Sequence, residues 1–173
     1  MKVLVTGGVR SGKSRHAESL LASAADVTYV AAGPAYDDAD WAARIAAHRV
    51  RRPASWRTEE TQDVARVLAA ASGPVLVDCL GTWLTAVIDA AGLWEAPVDQ
   101  VESAVLAELD ATVAAVATAE VPVVLVTNEV GLGVVPVERS GRLFRDLLGT
   151  VNQRVAEACD EVHLVVAGRV LRL

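Results

Sequence analysis

Aromatic side chains make up only 4% of the 173 residues, so the interior has to be filled by small and branched aliphatics rather than by large rings. Alanine and valine supply them. With 53% of residues hydrophobic and 22% charged, the chain is globular rather than disordered. An excess of cations is also missing: 16 Lys and Arg stand against 22 Asp and Glu, a formal net charge of -6. A nucleic-acid partner calls for Lys and Arg to displace counterions, so that class is set aside. A nucleotide asks only for local backbone N–H groups and a few cations, and nucleotide binding stays open. Cysteine is reduced to Cys79 and Cys159, far apart and in no metal-ligand spacing, which reads as two reduced thiols of a cytoplasmic protein. No apolar run approaches the roughly 18 residues expected of a membrane span. The run from Met1 to Thr6 is too short for a signal peptide and leads directly into glycines.

What is present is an alternation of strand-sized apolar runs with helical patterns. Strands are expected at 2–6, 26–32, 74–80, 122–127 and 161–167, with 170–173 as a short partner after a turn at Gly168. Helices are expected over 13–24, from an Asp40 N-cap through Trp41, Ile45 and His48, and over 61–71, 82–91, 101–119 and 143–158. Strands separated by helices imply an α/β fold with a mostly parallel sheet and helices on both faces. No repeat, low-complexity tract or linker divides residues 1–173, so a single P-loop nucleotide-binding catalytic domain is expected.

Residues Gly7 to Ser14 read GGVRSGKS, which satisfies G-x-x-x-x-G-K-[ST]. The match follows an apolar strand and precedes a helix, the setting the mechanism requires. Glycines let backbone N–H groups point inward to cradle a polyphosphate, and the helix N-terminus adds partial positive charge. In this pattern Lys13 reaches the β and γ phosphates and Ser14 ligates Mg²⁺. Asp78 ends the run Val75-Leu76-Val77-Asp78 and reads as the second acid of such a site, holding Mg²⁺ directly or through water. The alternative for Asp78 is a carboxylate capping the next turn.

The three histidines differ in setting. His16, three positions after Lys13, reads as a partly exposed helix residue near the phosphates. His163, inside an apolar strand, reads as a core or edge histidine with one hydrogen bond. His48 shares a helix face with Trp41 and is followed by Arg49, Arg51 and Arg52. Nearby positive charge favours the neutral imidazole, and the same cations would neutralise phosphoryl oxygens under attack. On spacing alone a solvated basic helix end explains His48 as well as a nucleophile does.

Several segments together resemble the bifunctional adenosylcobinamide kinase/adenosylcobinamide-phosphate guanylyltransferase family of cobalamin biosynthesis. They are LVTGGVRSGKSRHAE (4–18), AARIAAHRVRRPASWRTEE (42–60), VDCLGTWLT (77–85), VTNEVGLGVVP (126–136) and FRDLLGTVNQRVA (144–156). They occur in one order over nearly the whole chain. The resemblance implies a P-loop NTPase-like fold and two reactions: phosphorylation of adenosylcobinamide with GTP or ATP, then transfer of GMP from GTP to adenosylcobinamide phosphate. It implies that His48 carries the GMP, and Ala47 before it leaves one imidazole rather than an adjacent pair at that point. It also implies that GTP is bound by Gly7, Gly8, Val9, Arg10, Ser11, Gly12, Lys13 and Ser14. Further nucleotide contacts are implied for Ala32, Gly33 and Pro34, for Arg49, Val50, Arg51 and Arg52, and for Glu60 and Thr82. Gly81 stands where a more polar residue is usual. A homo-oligomer, a trimer with the active site between subunits, is implied as well. A kinase for another small molecule and a nucleotide-switched binding module are the alternatives. The switch lacks the N-K-x-D guanine motif, since Asn128 is followed by Glu129-Val130-Gly131.

Overall fold

The computed structural model of the chain describes residues 1–34 and 52–173. Its strands are β1 (Lys2–Thr6), β2 (Thr28–Ala31), β3 (Arg57–Glu60), β4 (Val75–Asp78), β5 (Val123–Val126), β6 (Glu161–Val166) and β7 (Arg169–Arg172). All seven form one sheet in the order β3-β2-β4-β5-β1-β6-β7. The first six are parallel, and β7 turns back antiparallel on β6. The reversal takes place at Ala167 and Gly168, both with positive φ, as a two-residue hairpin turn demands. The described helices are α1 (Lys13–Leu20), α2 (Val64–Ala69), α3 (Leu80–Ala91), α4 (Val98–Thr118) and α5 (Arg139–Glu157).

The central strands β1, β4 and β5 are apolar on both sides because both faces are covered. Val3 and Val5 of β1, Leu76 of β4 and Val124 and Val126 of β5 pack with Ala17 and Leu21 at α1. The alternate residues Leu4, Val75, Val77, Val123 and Leu125 pack on the opposite face with Leu80, Trp83, Leu84, Val101, Leu109 and Leu148 of α3, α4 and α5. Trp83, the one large ring in this second layer to be wholly buried, donates its indole N–H to the Gln62 carbonyl at 2.9 Å.

Strand β3 was not among the expected strands. It lies at the sheet edge, reads RTEE and is mostly exposed, so its place is set by backbone pairing with β2 rather than by an apolar face. Its presence delays α2: Thr61 N–H still bonds Ala31 O, and the helix starts only after Asp63, whose side chain accepts from Arg66 N–H. Three other helices begin earlier than expected, α3 at Leu80, α4 behind Pro97 and α5 behind Glu138. Helix α1 stops at Leu20, and tighter turns carry the chain to Ala24. The expected helix through Trp41, Ile45 and His48 lies outside the described residues. No described helix is long and apolar enough to cross a membrane.

Adjacent strands β1 and β5 lead into helices on opposite faces, α1 after β1 and α5 after β5. Such a divergence opens a crevice at the carboxyl ends of the two strands, the ordinary ligand position in an open α/β sheet.

Candidate active site

The loop GGVRSGKS leaves β1 at that crevice. Its backbone takes the special conformations its glycines permit: Gly12 has φ 99°, and Arg10, at φ 55°, is one of two described non-glycine residues with positive φ. The result is a concave run of N–H groups ending at the first turn of α1. The loop is braced from both sides. Glu129 N–H, beyond β5, bonds Gly7 O at 3.1 Å, and Gly168 N–H, at the β6–β7 turn, bonds Ser11 O at 2.8 Å. Val9 and Arg10 stand exposed at the crest.

Lys13, the first residue of α1, is 7% exposed, and its Nζ donates to Gly8 O at 3.2 Å, across the mouth of the loop. A buried ammonium has to be held by acceptors, and this carbonyl is one that phosphate oxygens could replace. Ser11 Oγ, inside the loop, and Thr6 Oγ1, at the end of β1, are buried and make no hydrogen bond among the described residues. Buried polar atoms left in this way mark places where a ligand or water completes the set.

A Cβ on Gly7 would stand 2.4 Å from the Val165 carbonyl oxygen and 2.7 Å from Ser11 Oγ. The first contact is backbone of the neighbouring strand and cannot swing aside. Gly7→Ala is therefore expected to cost about 1–3 kcal/mol of stability, the usual range for overpacking, and to weaken GTP binding. Urea denaturation and equilibrium nucleotide binding check the two effects; an alanine variant with wild-type affinity would show that the loop does not need this close approach.

Asp78 ends β4, the second strand over from β1, at the same edge of the sheet. Cys79 follows as the N-cap of α3, where its thiol and the Thr82 hydroxyl form a reciprocal capping box. Thr82 Oγ1 donates to Cys79 O at 2.9 Å, so this hydroxyl is already engaged in the turn. Burial and the neighbouring Asp78 push the Cys79 thiol upward, away from the reactive thiolate. Gly33, just past β2, lies against Thr82: an added Cβ would meet the Thr82 Cβ at 2.9 Å. The end of β2, with Ala32, Gly33 and Pro34, thus adjoins the start of α3. Glu60 stands apart. It ends β3, four strands from β1, about 19 Å away at ordinary strand spacing.

Arg52 is half-buried, and its guanidinium carbon sits 3.7 Å from the Tyr29 ring centroid. His48, Arg49, Val50 and Arg51 lie outside the described residues. The other two histidines meet: His16 Nε2 is 2.9 Å from His163 Nδ1, and His163 Nε2 is 2.8 Å from a Glu161 carboxylate oxygen. His163 therefore has two partners rather than the expected one. With both rings neutral, the carboxylate can only accept, so His163 donates to Glu161 and His16 donates to His163. Desolvation, then the nearby His163, then Arg172 lower the His16 pKa below its ordinary value.

Two residues that shape the site carried no motif signal. Asn152 of α5 accepts from the buried Thr127 hydroxyl at 2.6 Å and donates to Asn128 O at 3.1 Å, fixing the segment after β5. Tyr29 is the other, and its only mark in the sequence is a lone phenol in an aliphatic strand.

A protein-only metal cage is absent: no group of three or more His, Cys, Asp or Glu side chains suited to a metal occurs among the described residues. Mg²⁺ needs none, because it keeps several waters and takes one or two protein oxygens beside the phosphates. Ser14 on the first turn of α1 and Asp78 at the end of β4 fit that demand in kind.

Comparison with known proteins matches the chain over residues 3–173 to the family described as cobinamide kinase / cobinamide phosphate guanyltransferase. Among curated proteins it is 45% identical to the bifunctional adenosylcobalamin biosynthesis protein CobU of Salmonella typhimurium, over 97% of each chain. It is 44% identical to the protein of the same name from Escherichia coli, again over 97% of each. It is 42% identical to the bifunctional adenosylcobalamin biosynthesis protein CobP of Pseudomonas aeruginosa, over 97% of this chain and 94% of that one.

Proposed function

Because the chain belongs to the cobinamide kinase / cobinamide phosphate guanyltransferase family, we propose that it phosphorylates adenosylcobinamide with GTP or ATP and then transfers GMP from GTP to the product, giving adenosylcobinamide-GDP. The observation that carries this reading is the braced GGVRSGKS loop with Lys13 buried across its mouth, within a chain matched from residue 3 to its last residue. The two rival readings, a kinase for another small molecule and a nucleotide-switched module, account for the loop but not for the extent of the match.

In the first reaction the γ-phosphoryl group passes to the substrate hydroxyl. Lys13 exchanges the Gly8 carbonyl for phosphate oxygens, and the loop amides hold the remaining charge, so the work is positioning and neutralisation. Ser14 and Asp78 would hold Mg²⁺, which shields the phosphate charge when bound. In the second reaction His48 attacks the α-phosphorus of GTP and pyrophosphate leaves. The GMP-histidine is a phosphoramidate, and the phosphate of adenosylcobinamide phosphate then displaces the imidazole to form the new anhydride. Arg49 and Arg51 neutralise oxygens on the phosphorus under attack. Val50 and Arg52 complete that segment, while Ala32, Gly33 and Pro34 from the end of β2, with Thr82 from the first turn of α3, line the nucleotide. Glu60 is assigned to the guanine edge, where a carboxylate can accept from N1–H and N2–H.

The proposal includes a single catalytic domain, a cytoplasmic place consistent with two free cysteines, and assembly into a homotrimer. Purified protein with GTP, Mg²⁺ and adenosylcobinamide is expected to form the phosphate first and the GDP derivative second, resolved by chromatography. Light scattering on the same preparation is expected to give a trimer mass. Formation of neither corrinoid product would remove the proposal, and a monomer mass would remove the trimer.

A further inference from the structure

The segment GLGVVPV (131–137) carries the chain from β5 toward α5 and turns its aliphatic side chains outward. Leu132, Val134 and Val137 are 88%, 95% and 87% exposed, and Val135 is exposed as well. Single exposed aliphatics are ordinary, but a run of them on one short segment makes a patch. The backbone beneath the patch is fixed. Gly131 N–H donates to a Glu129 carboxylate oxygen at 2.7 Å, Arg145 donates to Gly131 O at 2.9 Å, and Arg142 donates to the carbonyls of Pro136 and Val137. Pro136 also seats on Gly141, where an added Cβ would stand 2.8 Å from the Pro136 Cβ. A surface ordered in advance loses little freedom when it is covered. The patch lies at the carboxyl edge of the sheet, on the segment whose Glu129 N–H bonds Gly7 O of the phosphate loop. An acceptor for the γ-phosphoryl group has to approach at this edge. Next to the patch, joined to it through Arg142, is a cleft between the N-terminal halves of α4 and α5. Val98, Leu143 and Leu147 give it an apolar lining, and Glu102 and Asp146 bring carboxylates to it. Arg139 and Arg142 line it too, each donating to main-chain carbonyls.

We infer that this patch and cleft seat the corrin ring of the acceptor, with Leu132 and Val134 against its apolar surface and Glu102 and Asp146 accepting from its primary amides. The inference rests on the reading of the chain as an adenosylcobinamide kinase. The chemistry matches on three counts. A corrinoid presents ring faces and methyl groups that aliphatic side chains cover. It carries primary amides around its rim, and a carboxylate accepts from their N–H groups. It is net cationic, because cobalt(III) outweighs the corrin and adenosyl anions. The guanidinium groups of Arg139, Arg142 and Arg145 are turned to main-chain carbonyls, which leaves the carboxylates to meet that charge.

The test is equilibrium dialysis of adenosylcobinamide, read by its own absorbance, in the presence of a non-hydrolysable GTP analogue. Leu132→Ser and Val134→Ser remove exposed side chains, so the thermal midpoint should not move. Each is expected to weaken corrinoid binding about tenfold, the low end for uncovering one aliphatic side chain. The double variant L132S/V134S should lose about 100-fold if the two act independently. Its KM for adenosylcobinamide should rise in step, with kcat at saturation near wild type. Val134→Ile, which stays aliphatic, should keep the wild-type affinity. Binding of the GTP analogue and labelling of the protein by α-labelled GTP without corrinoid should be unchanged throughout. Wild-type corrinoid affinity and KM in the double variant overturn the inference and leave the kinase reading standing. An equal loss of GTP-analogue affinity would make the effect one of loop folding and overturn it as well. A smaller mass for the double variant than for wild type by light scattering would mean that the patch is covered by a second copy of the chain instead. Wild-type protein that neither binds nor phosphorylates adenosylcobinamide removes the kinase reading and this inference with it.

Discussion

Replacing Lys13 by alanine is expected to lower the rate of phosphoryl transfer to adenosylcobinamide by at least about 100-fold, the lower end of what removing one preorganised charge-stabilising donor costs. The expectation comes from where the side chain is held. Lys13 opens α1, its stem is buried, and its ammonium spans the loop to Gly8 O. A cation prepared in this way reorganises little when phosphate arrives. In water the same charge would be worth far less, because solvent screens it. Substrate binding should weaken too, but the larger effect should fall on kcat, since charge on the leaving oxygen develops most in the transition state. The fold should survive, because the alanine favours the helix and the lost hydrogen bond is one that substrate displaces. Steady-state assay of the phosphorylated corrinoid, with thermal denaturation as the control, decides this. A folded K13A enzyme running at the wild-type rate would take the phosphate loop out of the chemistry.

Replacing His48 by asparagine is expected to do the reverse in kind. Transfer of GMP should fall to background, while phosphorylation of adenosylcobinamide continues at close to the wild-type rate. The two reactions attack different phosphorus atoms. In the proposed mechanism the γ-phosphoryl goes directly to the substrate hydroxyl with Lys13 as its partner, and only the α-phosphorus route passes through an imidazole. His16 and His163 supply the internal control. They bond to each other, and His163 bonds to Glu161, so their ring nitrogens already have structural work. Replacing either should leave GMP transfer in place. Assaying both activities of each variant on one preparation tests this. Equal loss of both activities in H48N would mean that His48 holds a shared nucleotide site together, and the reading as a plain kinase would then gain.

Local features were the legible ones. The strand–GGVRSGKS–helix unit is contiguous, and each residue acts through its own backbone, so the loop and the start of α1 at Lys13 stand where the sequence puts them. The buried strands β1, β4 and β5 announce themselves as β-branched runs because both of their faces are dry. Strand β3 does not, since an edge strand needs only its backbone on one side and RTEE has no apolar face to display. The start of α3 is two residues earlier than the pattern indicates because Cys79, a poor cap by type, caps together with Thr82. What the sequence could not disclose are contacts between distant positions. The pairing of His16 with His163 spans 147 residues. The Arg52 guanidinium from ahead of β3 lies over the Tyr29 ring, and nothing in the run DVTYVAA hints at it. The reading of His48 as the nucleophile came from family resemblance, because His48 followed by arginines is chemically ambiguous on its own.

The most direct test of the account is the mass of the protein after incubation with GTP and Mg²⁺ in the absence of corrinoid. The account predicts an added mass of one GMP per chain, located by peptide mapping at His48. The linkage should be labile in acid and stable in base, as a phosphoramidate is and an acyl phosphate is not. Addition of adenosylcobinamide phosphate should then discharge it and yield adenosylcobinamide-GDP. A chain that transfers GMP to the corrinoid without ever carrying it, or that carries it on a residue other than His48, would contradict the account.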